Sequence, residues 1–284
     1  MIKSTFLFAL SVLLLSCFSV PIHLEKNDIT NNSYTNKTIN FSRVTNDILK
    51  KSKINKNWSR FRKSRIVTYI NLQGKRGTVL GDYVLDNGNY LIIELDNNKL
   101  YKWEKEKWEI NKNRLPDFIY MDEDFKKAKN LIGNYIWLNR KIYGSFPFEN
   151  IYHRKNQYKK VQVVGYEIYG NGNQDIPIWL KINIDNYFSY VRYNNEYKLY
   201  GQQNHYFKKK PVNTKWHKHI VDNIYNDIIT KGMNKKQVRL AVGNPNSINN
   251  TSSKHGVGEQ WIYYNQNYFK SLYFEFDKLA FIRN

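Results

Sequence analysis

Cysteine is nearly absent from this chain of 284 residues, and the single one, Cys17, leaves no intramolecular disulfide to hold a fold. Acids are also scarce: 24 Asp and Glu face 45 Lys and Arg, a formal net charge of +21. The N-terminal apolar run, Thr5 to Leu15, has eleven residues, well short of the ~20 a helix needs to cross a bilayer. The six His are scattered, and no Gly-x-Ser-x-Gly, His-Glu-x-x-His or phosphate-loop sequence occurs. The familiar signatures for a nucleophile, a catalytic zinc or a nucleotide phosphate are therefore missing. Two clusters imitate such sites. His217-Lys218-His219 places two imidazoles two residues apart, a spacing that diverges on a helix. Asp122-Glu123-Asp124, followed by Lys126, Lys127 and Lys129, is the charge gradient that complements a helix dipole. The expectation is a non-catalytic protein with no metal and no cofactor, held together by packing alone.

What is present begins at the N-terminus. Lys3 supplies a positive start, Thr5 to Leu15 an apolar stretch, and Leu14-Leu15-Ser16-Cys17 an ending. That is the layout of a secretory signal. The ending resembles the lipobox of bacterial lipoproteins, which implies cleavage between Ser16 and Cys17 and a covalent lipid, palmitate included, on Cys17. The alternative is an ordinary secretory signal with an incidental cysteine. On the lipoprotein reading the chain is anchored to a bacterial membrane, the outer membrane before the inner, and faces the periplasm or the cell surface.

An exported protein this basic is expected to meet anionic partners such as headgroups, cell-wall polymers or acidic protein surfaces. Nucleic acid is not expected. Residues 17–64 read as a tether, asparagine-rich first and then basic, because apolar residues are too sparse to offset the entropy of ordering. Lys50, Lys51, Arg60, Arg62 and Lys63 lie in its basic part. There they form either a solvated linker or a contact with anionic headgroups that reinforces the lipid anchor.

Short Val-, Ile- and Tyr-rich runs separated by Asn and Gly turns predict a small antiparallel β unit over residues 65–120, with strands at Ile66–Leu72, Gly77–Leu80, Tyr90–Asp96 and Lys99–Lys105. A linker helix over 121–132 follows, and then a second β unit over 133–210. Within it, IPIWLKINIDNYFSYVRY (176–193) resembles the end of a bacterial SH3-like barrel. Members of that family bind cell-wall peptides or other extended chains, which makes Trp137, Trp179 and Tyr190 a candidate ligand groove. Core packing is the competing role for such residues.

From Trp216 the apolar period lengthens. Ile220, Ile224 and Ile228 mark one helix face, and Asn234 with Gln237 forms a capping-box pair that starts a second helix, closed by Gly243-Asn244-Pro245. A loop over 246–258 and three alternating strands complete residues 211–284. IITKGMNKKQVRLAVGNPN, then EQWIYY and SLYFEFDKLAFI, resemble the SmpA/OmlA (BamE-like) lipoprotein domain. Gly232, Met233, Gln237, Val238, Gly243, Pro245, Trp261, Tyr263, Tyr273, Phe274 and Leu279 fall on its pattern, and Asn234 replaces its usual Thr. The resemblance implies an αα-βββ two-layer fold and a link to outer-membrane protein assembly. The expected whole is an α+β, β-rich lipoprotein acting as an interaction or scaffold module for an envelope protein partner. A cell-wall (peptidoglycan) ligand-binding lipoprotein is the alternative, and an enzyme inhibitor a third reading.

Overall fold

The computed structural model describes residues 28–51, 57–61, 66–85, 88–95, 98–105, 115–116, 118–139, 156–169, 177–193, 205–253, 256–265 and 268–283. The chain forms two compact units, the first ending at Asp122 and the second beginning at Glu123. It is an α+β protein, rich in curled antiparallel sheet.

The first unit carries β1 (Thr38–Phe41), a one-turn helix α1 (Asn46–Lys51), β2 (Trp58–Arg60), β3 (Arg76–Leu85), β4 (Gly88–Leu95), β5 (Lys99–Glu104) and β6 (Ile119–Met121). The strands make one six-stranded sheet in the order β2-β5-β4-β3-β1-β6. Alternation along β3 buries Val79 and Tyr83, the period-2 signature of a strand. Ile39, Phe41, Trp58, Tyr69, Leu91 and Ile93 fill the main core, while Phe61, Tyr83 and Ile92 pack on the opposite face. A register shift between Val79 and Gly81 marks a bulge, which bends a strand and increases its twist. Gly81 adopts φ +143°, and a Cβ there would lie 2.2 Å from the Thr30 carbonyl oxygen. Only glycine lets Thr30 exchange its two backbone bonds with Asp82, both 2.8 Å.

Two expectations need correction here. Residues 17–64 are not a tether throughout: β1 sits between β3 and β6 inside the sheet, and β2 pairs with β5. Asparagine masks the pattern, but Tyr34, Ile39, Phe41, Val44, Leu49 and Trp58 are buried, and together they bury enough apolar surface to order the segment. Ile66–Leu72 is not a strand either. Ile66 makes a single bridge to Ser59, and Tyr69–Asn71 is a 3-10 turn. The Tyr69 hydroxyl, 3.1 Å from both the Ser42 and the Phe118 carbonyl oxygens, pins that turn into the core. Its burial pushes the phenol pKa up.

The second unit starts along α2 (Asp122–Lys129), continues through β7 (Tyr135–Leu138), β8 (Lys160–Ile168), β9 (Ile178–Ile184), β10 (Tyr187–Arg192) and β11 (Tyr206–Phe207), and ends with α3 (Lys218–Tyr225), α4 (Lys235–Val242), β12 (Ser247–Ser253), β13 (Gly256–Asn265), β14 (Tyr268–Glu275) and β15 (Lys278–Arg283). One sheet runs β10-β9-β8-β7-β11 and the other is the meander β12-β13-β14-β15. The first buries Ile136, Val161, Val163, Leu180, Ile182 and Val191. The second packs Trp261, Leu272, Phe274 and Leu279 against Ile224, Met233, Val238 and Ala241.

The capping box is formed. Asn234 Oδ1 accepts from the Gln237 N–H at 2.8 Å, and Gln237 Oε1 accepts from the Asn234 N–H at 2.8 Å. At the other end Gly243, at φ +92°, turns the chain out of α4. The terminal sheet differs from the expected αα-βββ layer by a fourth strand. Residues 247–253, expected as loop, pair with β13 from Ser247↔Ile262 to Ser253↔Gly256. Their Asn- and Ser-rich sequence has low strand propensity, and backbone pairing to a long partner overrides it. Residues 133–210 and 211–284, read as separate domains, share one compact unit. Tyr158, just before β8, joins the helix–sheet core and donates to the Leu240 carbonyl, while Gln157 Nε2 donates to the Ile224 carbonyl at 3.3 Å.

Candidate functional site

Ser16 and Cys17 lie outside the described residues, as do Arg62 and Lys63. Lys50, on α1, and Arg60, at the end of β2, are exposed, and Lys51 closes α1.

The register of the five-stranded sheet brings the predicted groove residues onto one face. Trp137 opposes Lys160, Tyr190 opposes Lys181, and Trp179 opposes Arg192. Their availability differs. Trp179 is completely buried, with its Nε1–H donating to the Tyr169 carbonyl at 3.3 Å and the Arg192 guanidinium 5.7 Å from its ring. It is a core residue and cannot touch a ligand in this conformation. Trp137 and Tyr190 are half-buried, and Tyr135 and Phe188 on the same face are exposed. Lys160 lies 4.3 Å from the Tyr135 ring centroid and Lys181 4.4 Å from that of Phe188. Burial, with Glu167 nearby, raises the Tyr190 phenol pKa. At the rim of this sheet His205 is buried, and its Nδ1 accepts the Arg192 backbone N–H at 2.9 Å. Desolvation, and then the Arg192 charge, push its pKa down to about 3. The ring is thus a neutral structural acceptor.

Of the two cluster imitations, Asp122 opens α2 and receives Arg76 Nη2 at 3.2 Å, while Glu123 pairs with Lys127 one turn on at 2.6 Å. The second is an exposed i,i+4 pair, the first a long-range pair on a partly buried carboxylate, and Asp124 is buried. His217 and His219 stack at 5.8 Å, exposed before and within the first turn of α3.

Sequence reasoning missed a strongly basic concavity, a cleft of about 840 Å³ in the second unit. Four segments distant in sequence build it: Asn139 after β7, Phe207 with the connector that follows it, α4 with its flanking residues Asn234, Gly243 and Asn244, and the β14–β15 turn. Lys208, Lys209, Lys210, Lys235, Lys236 and Arg239 line it against one acid, Asp277, and Phe207, Pro211 and Leu240 add apolar surface. Lys235 is anchored, with Nζ 3.0 Å from Glu259 and 4.0 Å from Asp277. Glu259 also accepts from the Trp261 indole N–H at 2.7 Å. That bond, and then Lys235, hold its carboxyl below the usual carboxylate range. Arg239 lies 4.5 Å from the Trp261 ring centroid and Lys236 5.8 Å from that of Trp216, so aromatic faces hold both cations over the helix. Gly243 carries the far wall, its carbonyl accepting from Tyr263 Oη at 3.0 Å. The only sequence signal was the Lys208-Lys209-Lys210 run, which marked the end of a β unit. Nothing in the sequence links it to α4.

The class these features define is a β-rich α+β protein with a preformed basic cleft beside a capped helix. No family model, no curated protein and no solved structure matches the chain.

Proposed function

We propose that the chain is a non-catalytic lipoprotein of the bacterial cell envelope, anchored through a lipid on Cys17, whose folded units act as an interaction or scaffold module. The observation that carries this reading is the N-terminal series Lys3, Thr5–Leu15 and Leu14-Leu15-Ser16-Cys17. It supplies charge, apolar run and cysteine in the order a lipoprotein signal requires. The finer fold reading belongs to the same proposal: SH3-like β units followed by an SmpA/OmlA-like domain. It is supported by the capping box at Asn234, the helix stop at Gly243, and the burial of Trp261, Phe274 and Leu279 at the positions of that family's pattern. A link to outer-membrane protein assembly follows from that resemblance, and an envelope protein is the expected partner. The test is expression of wild type and Cys17→Ser in a bacterial host, with intact mass and membrane fractionation as readouts. Loss of the first sixteen residues, added acyl mass on the wild type, and release of the variant from membranes are the expected results. An unacylated wild type in the soluble fraction would overturn the anchor.

A second reading, a cell-wall ligand on the five-stranded sheet, is favoured by one feature. Tyr135 and Phe188 are exposed beside Lys160 and Lys181 on a single face, an arrangement suited to stacking on sugar or peptide. Sedimentation with purified cell wall, lost in Tyr135→Ala/Phe188→Ala, would support it. Sedimentation unchanged by that pair of substitutions would remove it.

A further inference from the structure

We infer that the basic cleft beside α4 is a binding site for a ligand carrying two phosphate groups. This goes beyond the scaffold reading and does not rest on the lipid anchor. Charge decides the ligand class. Lys235 is committed to Glu259 and Asp277, whereas Lys209, Lys210, Lys236 and Arg239 form no ion pair among the described residues. Four such cations are exposed and partly screened by salt, but their convergence on one concavity leaves a repulsion that an anion of comparable charge relieves best. A carboxylate brings one charge. A phosphate group brings about −1.5 to −2 at neutral pH, so a diphosphate, or two phosphates on one scaffold, matches the site.

The donor types agree. Lysine ammoniums are mobile point donors that suit phosphate oxygens, and a guanidinium can clamp two of those oxygens at once. Trp216 and Trp261 hold the Lys236 and Arg239 side chains over the helix, so less freedom is lost when the anion binds. Phe207, Pro211 and Leu240 form an apolar patch in the same cleft. At about 840 Å³ the cleft also has room beyond two phosphates, within the ordinary range of small-molecule sites. The ligand is therefore a phosphate ester with a sugar or apolar body. Such phosphates occur both on soluble compounds and on lipid headgroups.

The experiment is calorimetric titration of the full-length chain with pyrophosphate, at low and at physiological salt. Lys209→Gln/Lys210→Gln/Lys236→Gln removes three charges inside the cleft. Lys50→Gln/Arg60→Gln/Lys99→Gln removes three exposed charges from the other unit. Wild type and the second variant should bind pyrophosphate within about twofold of each other, and the cleft variant at least about tenfold more weakly. Competition sorts the source. Phosphatidylcholine vesicles with about one part in four cardiolipin, which carries two phosphates on one scaffold, displace pyrophosphate if the ligand is a headgroup and leave it bound if the ligand is soluble, and either result supports a phosphate site. No pyrophosphate binding by wild type, or equal loss in both variants, would overturn the proposal. So would displacement of pyrophosphate by an oligo-aspartate peptide at equal charge concentration.

Discussion

Two basic regions of this protein, one with nine cations against one acid along the chain and one with six against one acid in a cleft, differ in how the fold arranges them. From Arg43 to Arg65 the chain holds nine Lys or Arg against Asp47 alone, a density visible on first reading. Of its described members, Arg43, Lys50 and Arg60 are exposed and Lys51 ends a short helix. The cleft of the second unit draws its cations from residues 208–210 and 235–239, fastens two of them to tryptophan faces and sets them around a cavity. Charge spread along a chain is screened within about 8–10 Å at physiological salt. The cleft's cations other than Lys235 are exposed as well, but they converge on one concavity, and a concave wall focuses their field. Concavity, and not density along the sequence, separates a solvated surface from a site.

The sharpest way to break that comparison is to remove the core beneath the cleft. Trp261 is fully buried, lies 4.5 Å from the Phe274 ring centroid, and supports both Arg239 and Glu259. Trp261→Ala is expected to cost about 3–5 kcal/mol and to abolish pyrophosphate binding. Trp58→Ala, equally deep in the first unit's core, should cost a similar amount and leave the cleft's affinity intact. Chemical denaturation followed by titration of each variant checks both. If Trp58→Ala weakened binding as much as Trp261→Ala, the cleft would not be a property of the second unit alone.

A smaller effect should appear with pH. His205 is neutral in the fold because burial and Arg192 depress its pKa to about 3, against about 6.5 in the unfolded chain. Above pH 6.5 its contribution to stability is fully present. As pH falls below that value the unfolded state takes up the proton first, and stability drops by about 1.4 kcal/mol per pH unit until the folded pKa is reached. His205→Asn should flatten that slope, read by denaturant unfolding between pH 7 and pH 4. An unchanged slope would mean that another group carries the acid sensitivity.

Asn234→Ala removes one half of the capping box and should cost about 1 kcal/mol, with Asn234→Ser restoring most of it. Thermal unfolding checks the pair. The smallest change belongs to the N-terminal basic region. Lys50→Gln and Arg60→Gln, exposed and away from any core, should shift stability by less than about 0.5 kcal/mol each.

The fold was legible where local signals agreed. The alternation in Ile178–Ile184 and the Asn234/Gln237 cap are each written within a few residues, and each forms; of the expected helix face Ile220 and Ile224 are buried, while Ile228 lies past the end of α3 and is exposed. Long-range pairing was not. Thr38–Phe41 reads as polar linker because its own composition is poor, and it becomes a strand only through partners at 76–78 and 119–121. The asparagines of β12 are likewise drawn into a sheet by β13. The register sets Trp137, Trp179 and Tyr190 on one face, but period-2 alternation cannot tell an open face from a covered one, and Trp179 is buried. The cleft was illegible for the same reason. No local pattern brings the lysines after β11 to the side of α4.

The most direct test of the difference between the two basic regions is hydrogen–deuterium exchange of the full-length chain with and without pyrophosphate. Added protection at residues 207–211 and 234–244, with none at 43–60, is the expected result. Protection confined to 43–60, or spread evenly over both regions, would mean that density of charge rather than the folded cleft selects the anion.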